Sequence, residues 1–149
     1  MALMKHRDLG SMPDGLCRVN ANIRKGSGVV RKLVDGKYVL ALPSTAEEAK
    51  NFYGFVTLDI EFKEHKGSYY DTIAKDSLAV CYTRVQNNEW KTTEFNGELA
   101  VGDKCAIGYT GEAAGKVVKV TDDTATMEVV GLIAAMGGYE EAMVIVKLL

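Results

Sequence analysis

Two histidines, His6 and His65, and three cysteines, Cys17, Cys81 and Cys105, are the side chains best suited to nucleophilic or acid–base chemistry in this chain. A hydrolytic serine or cysteine centre needs a nucleophile, a base and an orienting acid brought together. His6 stands in a charged leading stretch and His65 in the charged loop Glu64-His65-Lys66-Gly67, each without an evident partner. There is no G-x-S-x-G, and Gly26-Ser27-Gly28 reads as a flexible entry to a strand. The cysteines are scattered and odd in number, with no C-x-x-C, so neither a disulfide framework nor a redox pair is indicated. Cys81 and Cys105 lie in apolar stretches, where a thiol acts as a small buried hydrophobe.

Metal and phosphate chemistry find no better footing. Isolated His and Cys residues give none of the short ligand spacings of a structural zinc site. The carboxylate pairs Asp122-Asp123 and Glu140-Glu141 fall at expected turns and do not extend into a calcium loop. The glycine-rich stretch from Gly108 to Gly115 lacks both the G-x-G-x-x-G spacing and the Gly-Lys-Ser/Thr ending, and reads as a loop between strands. No catalytic residue, metal ligand or cofactor is assigned, and the reading is of a protein that is not an enzyme.

The chain has 149 residues, 47% of them hydrophobic and 26% charged, enough apolar material for the core of one domain. Its apolar runs fall far short of the roughly 20 residues needed to span a bilayer. Since the first residues turn charged at Lys5, the expectation is a chain made in a cytoplasm without a secretory signal.

After Gly28 the chain is a series of short β-rich runs separated by turn residues. Val29–Val34 and Lys37–Leu42 flank Asp35-Gly36, a dipeptide that tolerates the positive φ angles of a tight hairpin. Further hairpins are expected across Asn87-Asn88, Asp122-Asp123 and Gly137-Gly138, with Asn96-Gly97 as another turn. Val56, Leu58, Ile60 and Phe62 alternate with polar residues as a strand with one wet face. In Pro43–Gly54, Ser44 as a cap, Glu47 reaching back and Gly54 at the exit predict a short helix at about 45–53. The expected fold is all-β: a compact β-barrel or sandwich of consecutive hairpins, one short helix and an extended N-terminal arm. Residues 1–28 form the arm and 29–149 the body.

Charge divides the chain in the same way. Net charge is −2, yet the first 32 residues hold seven basic side chains against Asp8 and Asp14, a net of +5 that leaves −7 for the rest. A basic arm on an acidic body suits docking on an acidic partner, including a second copy; a solvated tail is the bland reading. Arg7, Arg18, Arg24 and Lys25 are the candidate partner-binding residues, because guanidinium groups in particular pair well with carboxylates. The acidic body weighs against nucleic acid, although adjacent Tyr69 and Tyr70 keep a single-strand-binding β module open as the alternative.

The succession Leu99–Ile107, Gly115–Val120, Val129–Ile133 and Met143–Val146, with Ile23–Val30 ahead of it, resembles the small β-barrel capsid decoration proteins of tailed bacteriophages. The segment from Pro43 to Arg84 departs from their simplest form. The resemblance implies a structural cement protein on the outside of the virion that clamps subunits of the major capsid protein. It also implies a homo-oligomer, with a trimer favoured.

Overall fold

Asp35 and Gly36 both adopt left-handed backbone, with φ of 50° and 78°, as a two-residue turn between twisted strands demands. They join strands β5 (Gly28–Val34) and β6 (Lys37–Ala41) in a register running from Val34 opposite Lys37 to Val30 opposite Ala41. Around this hairpin the computed structural model describes residues 3–57, 72–135 and 141–149.

The strands before it are β1 (Leu3–Arg7), β2 (Pro13–Asp14), β3 (Arg18–Val19) and β4 (Ile23–Arg24). After it come β7 (Gly54–Thr57), β8 (Thr72–Ile73), β9 (Val80–Thr83), β10 (Glu89–Thr92), β11 (Lys104–Ile107), β12 (Val117–Lys119), β13 (Met127–Ile133) and β14 (Met143–Leu148). One six-stranded sheet has the order β1-β10-β14-β13-β11-β12, a second has β2-β9-β7-β5-β6-β3, and β4 pairs with β8 alone. Among the described residues neither large sheet closes on itself, and the outer strands β3 and β12 are bridged further, Arg18 to Leu78 and Val117 to Phe95. The expectation of a nearly all-β fold therefore holds, and of its two forms the described residues make the sandwich-like one, with no closed barrel among them.

Alternation along the strands of the second sheet explains its place. Val30, Phe55 and Tyr82 pack with Trp90, Val129 and Val146 of the first sheet, whereas Val29, Val56 and Cys81 pack with Cys17, Val19, Ile23, Ile73 and Ala79. Successive strand residues face opposite ways, so the second sheet is apolar on both faces and needs cover on both. The first sheet supplies one cover. The chain from Cys17 to Ile23, with Ile73 and Ala79, supplies the other.

That layer removes the expected boundary at Gly28. The first residues do run extended, but β1 pairs with β10, β2 with β9, β3 in parallel with β6, and β4 with β8. Cys17, Val19 and Ile23 are fully buried. The N-terminal segment packs as part of the body because its apolar side chains, with Ile73 and Ala79, cover that face of the second sheet.

Local differences have equally plain causes. The helix α1 spans Ala46–Lys50, shorter than the expected 45–53, and its cap lies one residue later than expected. Thr45 accepts from the Glu48 amide while the Glu48 carboxylate accepts from the Ser44 amide, a variant of the capping box in which the return bond goes to the residue before the cap. Across Asn87-Asn88, β9 belongs to the second sheet and β10 to the first, so the turn is a crossing between layers and not a hairpin. Across Asp122-Asp123, β12 and β13 flank β11 on opposite sides instead of pairing with each other. β13 and β14 do pair antiparallel as expected. Their Gly137-Gly138 turn, the strand beyond Thr57, His65 and the Tyr69-Tyr70 pair lie outside the described residues.

Candidate functional site

The four cations expected to grip a partner occupy different elements. Arg7 ends β1, the open edge of the first sheet, exposed and in register with Glu89. Arg18 lies on β3 at the edge of the second sheet and donates from Nη1 to the Asp76 carbonyl at 2.8 Å. Arg24 donates from Nε to Glu94 Oε1 at 2.8 Å, and Glu94 is only 2% exposed. Arg24 is therefore committed to neutralising a buried carboxylate, which in water-poor surroundings needs its partner. Lys25 is half-buried and makes no ion pair among the described residues.

The most organised polar cluster involves residues that sequence reasoning passed over. The Arg31 guanidinium lies between two aromatic rings, 4.6 Å from the centroid of Tyr38 and 4.6 Å from that of Tyr53. Its Nη1 is 3.8 Å from Asp14 Oδ2, which also accepts from the Tyr53 hydroxyl at 2.9 Å. The other oxygen of Asp14 accepts from the Leu16 amide at 3.0 Å. These donors, the Leu16 amide foremost, hold the Asp14 carboxyl below its usual range. Burial, then the bond to Asp14, pushes the Tyr53 phenol up to about 12, so it stays a donor. The Cys17 thiol behind is pushed up by burial and stays protonated.

The cluster joins the N-terminal segment to the central hairpin, and beside it a groove of about 380 Å³ opens between Leu16 and Arg18 on one side and Lys37, Tyr38 and Val39 on the other. No sequence motif marks it, because residues 14, 31, 38 and 53 meet only through the sheet. Pro13-Asp14-Gly15 gave the one local hint, an Asp positioned to accept amides two residues on.

A second clasp holds the chain's start. Asp8 accepts from the amides of Gly10 and Ser11, from the Ser11 hydroxyl, from Lys5 and from the Asn88 side chain. Asn88 is fully buried and its carbonyl accepts from the Leu9 amide at 2.6 Å. The Ser11 amide first, then Lys5, the Ser11 hydroxyl and the Gly10 amide, hold the Asp8 carboxyl far below the usual carboxylate range.

Reactive groups are dispersed. His6 Nε2 lies 3.5 Å from Glu89 and faces no nucleophile among the described residues. Cys17, Cys81 and Cys105 are free and buried. Among the described residues no three His, Cys, Asp or Glu side chains converge as metal ligands, and no helix is long and apolar enough to cross a membrane. What the described surface offers is contact: cations and exposed apolar side chains.

No protein-family profile and no curated protein sequence matches the chain. Among solved structures, the fold is similar to the head fiber gp8.5 N base of bacteriophage phi29, with a TM-score of 0.54 and 13% identity. The likeness covers 94% of this chain and 93% of that one. The two therefore share one fold over nearly their whole length.

Proposed function

We propose that the protein is a structural component of a bacteriophage virion, bound to the outside of the capsid, where it stabilises contacts between subunits of the major capsid protein. The observation that carries this reading is the end-to-end likeness of fold to a phage head fiber base. A shared fold does not by itself transfer function. The surface supports the reading independently, since its organised features are contact features. The outer strands β1 and β3 carry the exposed side chains of Arg7 and Arg18, which have no carboxylate partner among the described residues and are available to a neighbouring protein. Many copies on one lattice reinforce each other, so modest single-site affinity suffices. Association of copies, as a trimer, completes the proposal.

The test is co-sedimentation of the full chain with capsids prepared without it, together with mass spectrometry of purified virions. Saturable copies per capsid are expected, fewer at high salt and fewer for Arg7→Glu and Arg18→Glu at unchanged melting temperature. A chain that stays in the supernatant at low salt and is missing from virions overturns the reading; retention on single-stranded DNA instead would establish the nucleic-acid alternative.

A further inference from the structure

The geometry points to the groove between Leu16 and the β5–β6 hairpin as a docking site for an acidic segment of a partner protein that carries a large apolar side chain. Leu16 is 90% exposed, more than any other large apolar side chain among the described residues. It shares the groove with Tyr38, 54% exposed, and Tyr38 stands directly across the hairpin from Leu33, 63% exposed. Singly exposed apolar residues are ordinary, but Tyr38 here links Leu16, with which it lines the groove, to Leu33, its cross-strand partner.

They are also held in place. The Leu16 amide is bonded to Asp14, Asp14 is bonded to Tyr53 and paired with Arg31, and Arg31 lies on the Tyr38 ring. An apolar surface fixed in this way loses little conformational freedom when it is covered, so more of its burial appears as affinity. The charge around it selects the occupant. Arg18, Arg31 and Lys37 line the groove, and its one carboxylate, Asp14, is already engaged by Arg31 and Tyr53. A segment with carboxylates flanking a Leu- or Phe-like side chain meets both features at once. Phosphate would satisfy the cations but would leave Leu16, Leu33 and Tyr38 in water.

This adds a surface and a partner chemistry to the capsid reading, and rests on that reading only for the coat as the source of the segment. The experiment uses the full chain on an array of immobilised 12-residue peptides, in which a central Leu, Phe or Ser is flanked by Asp and Glu, by Asn and Gln, or by Lys. Retention is expected on acidic peptides with Leu or Phe, at least tenfold above their Asn/Gln and Ser counterparts. It should fall at least tenfold for Leu16→Asp and for Tyr38→Ser, with melting temperature unchanged for Leu16→Asp.

Equal retention on acidic and amide peptides, or retention indifferent to Leu16→Asp, overturns the proposal. So does concentration-dependent self-association that Leu16→Asp abolishes, which would make a second copy the occupant. Capsid co-sedimentation separates the two readings. A chain that selects acidic peptides but never joins capsids keeps the groove and loses the capsid assignment; one that joins capsids without acidic selectivity does the reverse.

Discussion

Deleting residues 1–24 should abolish cooperative folding, although those residues look in sequence like a detachable arm. The deletion removes Val19 and Ile23, each 1% exposed, and Cys17 at 4%. It also uncovers Val29, Leu40, Val56 and Cys81, which these side chains cover. Burying one Val or Ile side chain stabilises a fold by about 1.5–3 kcal/mol. Counting both sides of the lost contact, the deletion costs on the order of 6–12 kcal/mol, comparable with the whole stability of a domain at about 5–15 kcal/mol. The full chain and the deletion would be compared by circular dichroism and urea unfolding. A milder variant gives a graded readout: Ile23→Ala should cost about 2–5 kcal/mol, lowering the melting temperature by roughly 5–15 °C for a chain of this size. If the truncated protein melts cooperatively within about 3 °C of the full chain, the layer assignment is refuted and the first strands are dispensable.

Acid should weaken the same region. Hydrogen bonds and cations lower the carboxyls of Asp8 and Asp14 in the fold, so their contribution is complete above the ordinary carboxyl range and is lost as pH falls through their depressed folded values. The melting temperature is expected to be level between about pH 5 and 7 and to drop below about pH 4, with Asp8→Asn and Asp14→Asn each flattening that acid limb in calorimetric scans. Arg24→Ala strands the buried Glu94 and, discounted for the half-exposed guanidinium, should cost about 1–3 kcal/mol in urea unfolding; adding Glu94→Gln should recover most of it. Burial pushes the thiol of Cys105 up to about 11 and that of Cys81 higher still. A thiol reagent at pH 8 should accordingly label the folded protein slowly and the urea-unfolded protein at once.

Turn chemistry was legible where the whole instruction is local. Asp35-Gly36 sets a hairpin because two left-handed residues leave the flanking strands no other course. Asn87 also takes a positive φ, 70°, yet the strands on either side enter different sheets. A turn reverses the chain without choosing the sheet it rejoins. That choice rests on distant partners: Asn88 bonds Asp8 and Leu9, about eighty residues away in sequence, and β10 pairs with β1 and β14. The strands β2, β3 and β4 were illegible for a related reason. Two residues cannot display a period, and the buried members Val19 and Ile23 are recognisable only against the face of the second sheet that they cover.

Charge counting met the same limit, and the structure turns it into a narrower claim. Of the seven cations before Leu33, Lys5 pairs with Asp8, Arg24 with Glu94, Arg31 with Asp14 and Lys32 with Glu48. Lys5 and Arg31 are balanced by the two carboxylates of the same segment, so two charges of the +5 surplus, Arg24 and Lys32, are taken up by carboxylates later in the chain. Arg7, Arg18 and Lys25 remain without a carboxylate partner among the described residues, and of these Arg18 borders the groove that Leu16 and Tyr38 line. If a partner is recognised by charge and apolar contact together, Arg18→Glu should weaken it more than Arg7→Glu. Equal losses from the two would mean diffuse attraction to the edges of both sheets, with no docking at the groove.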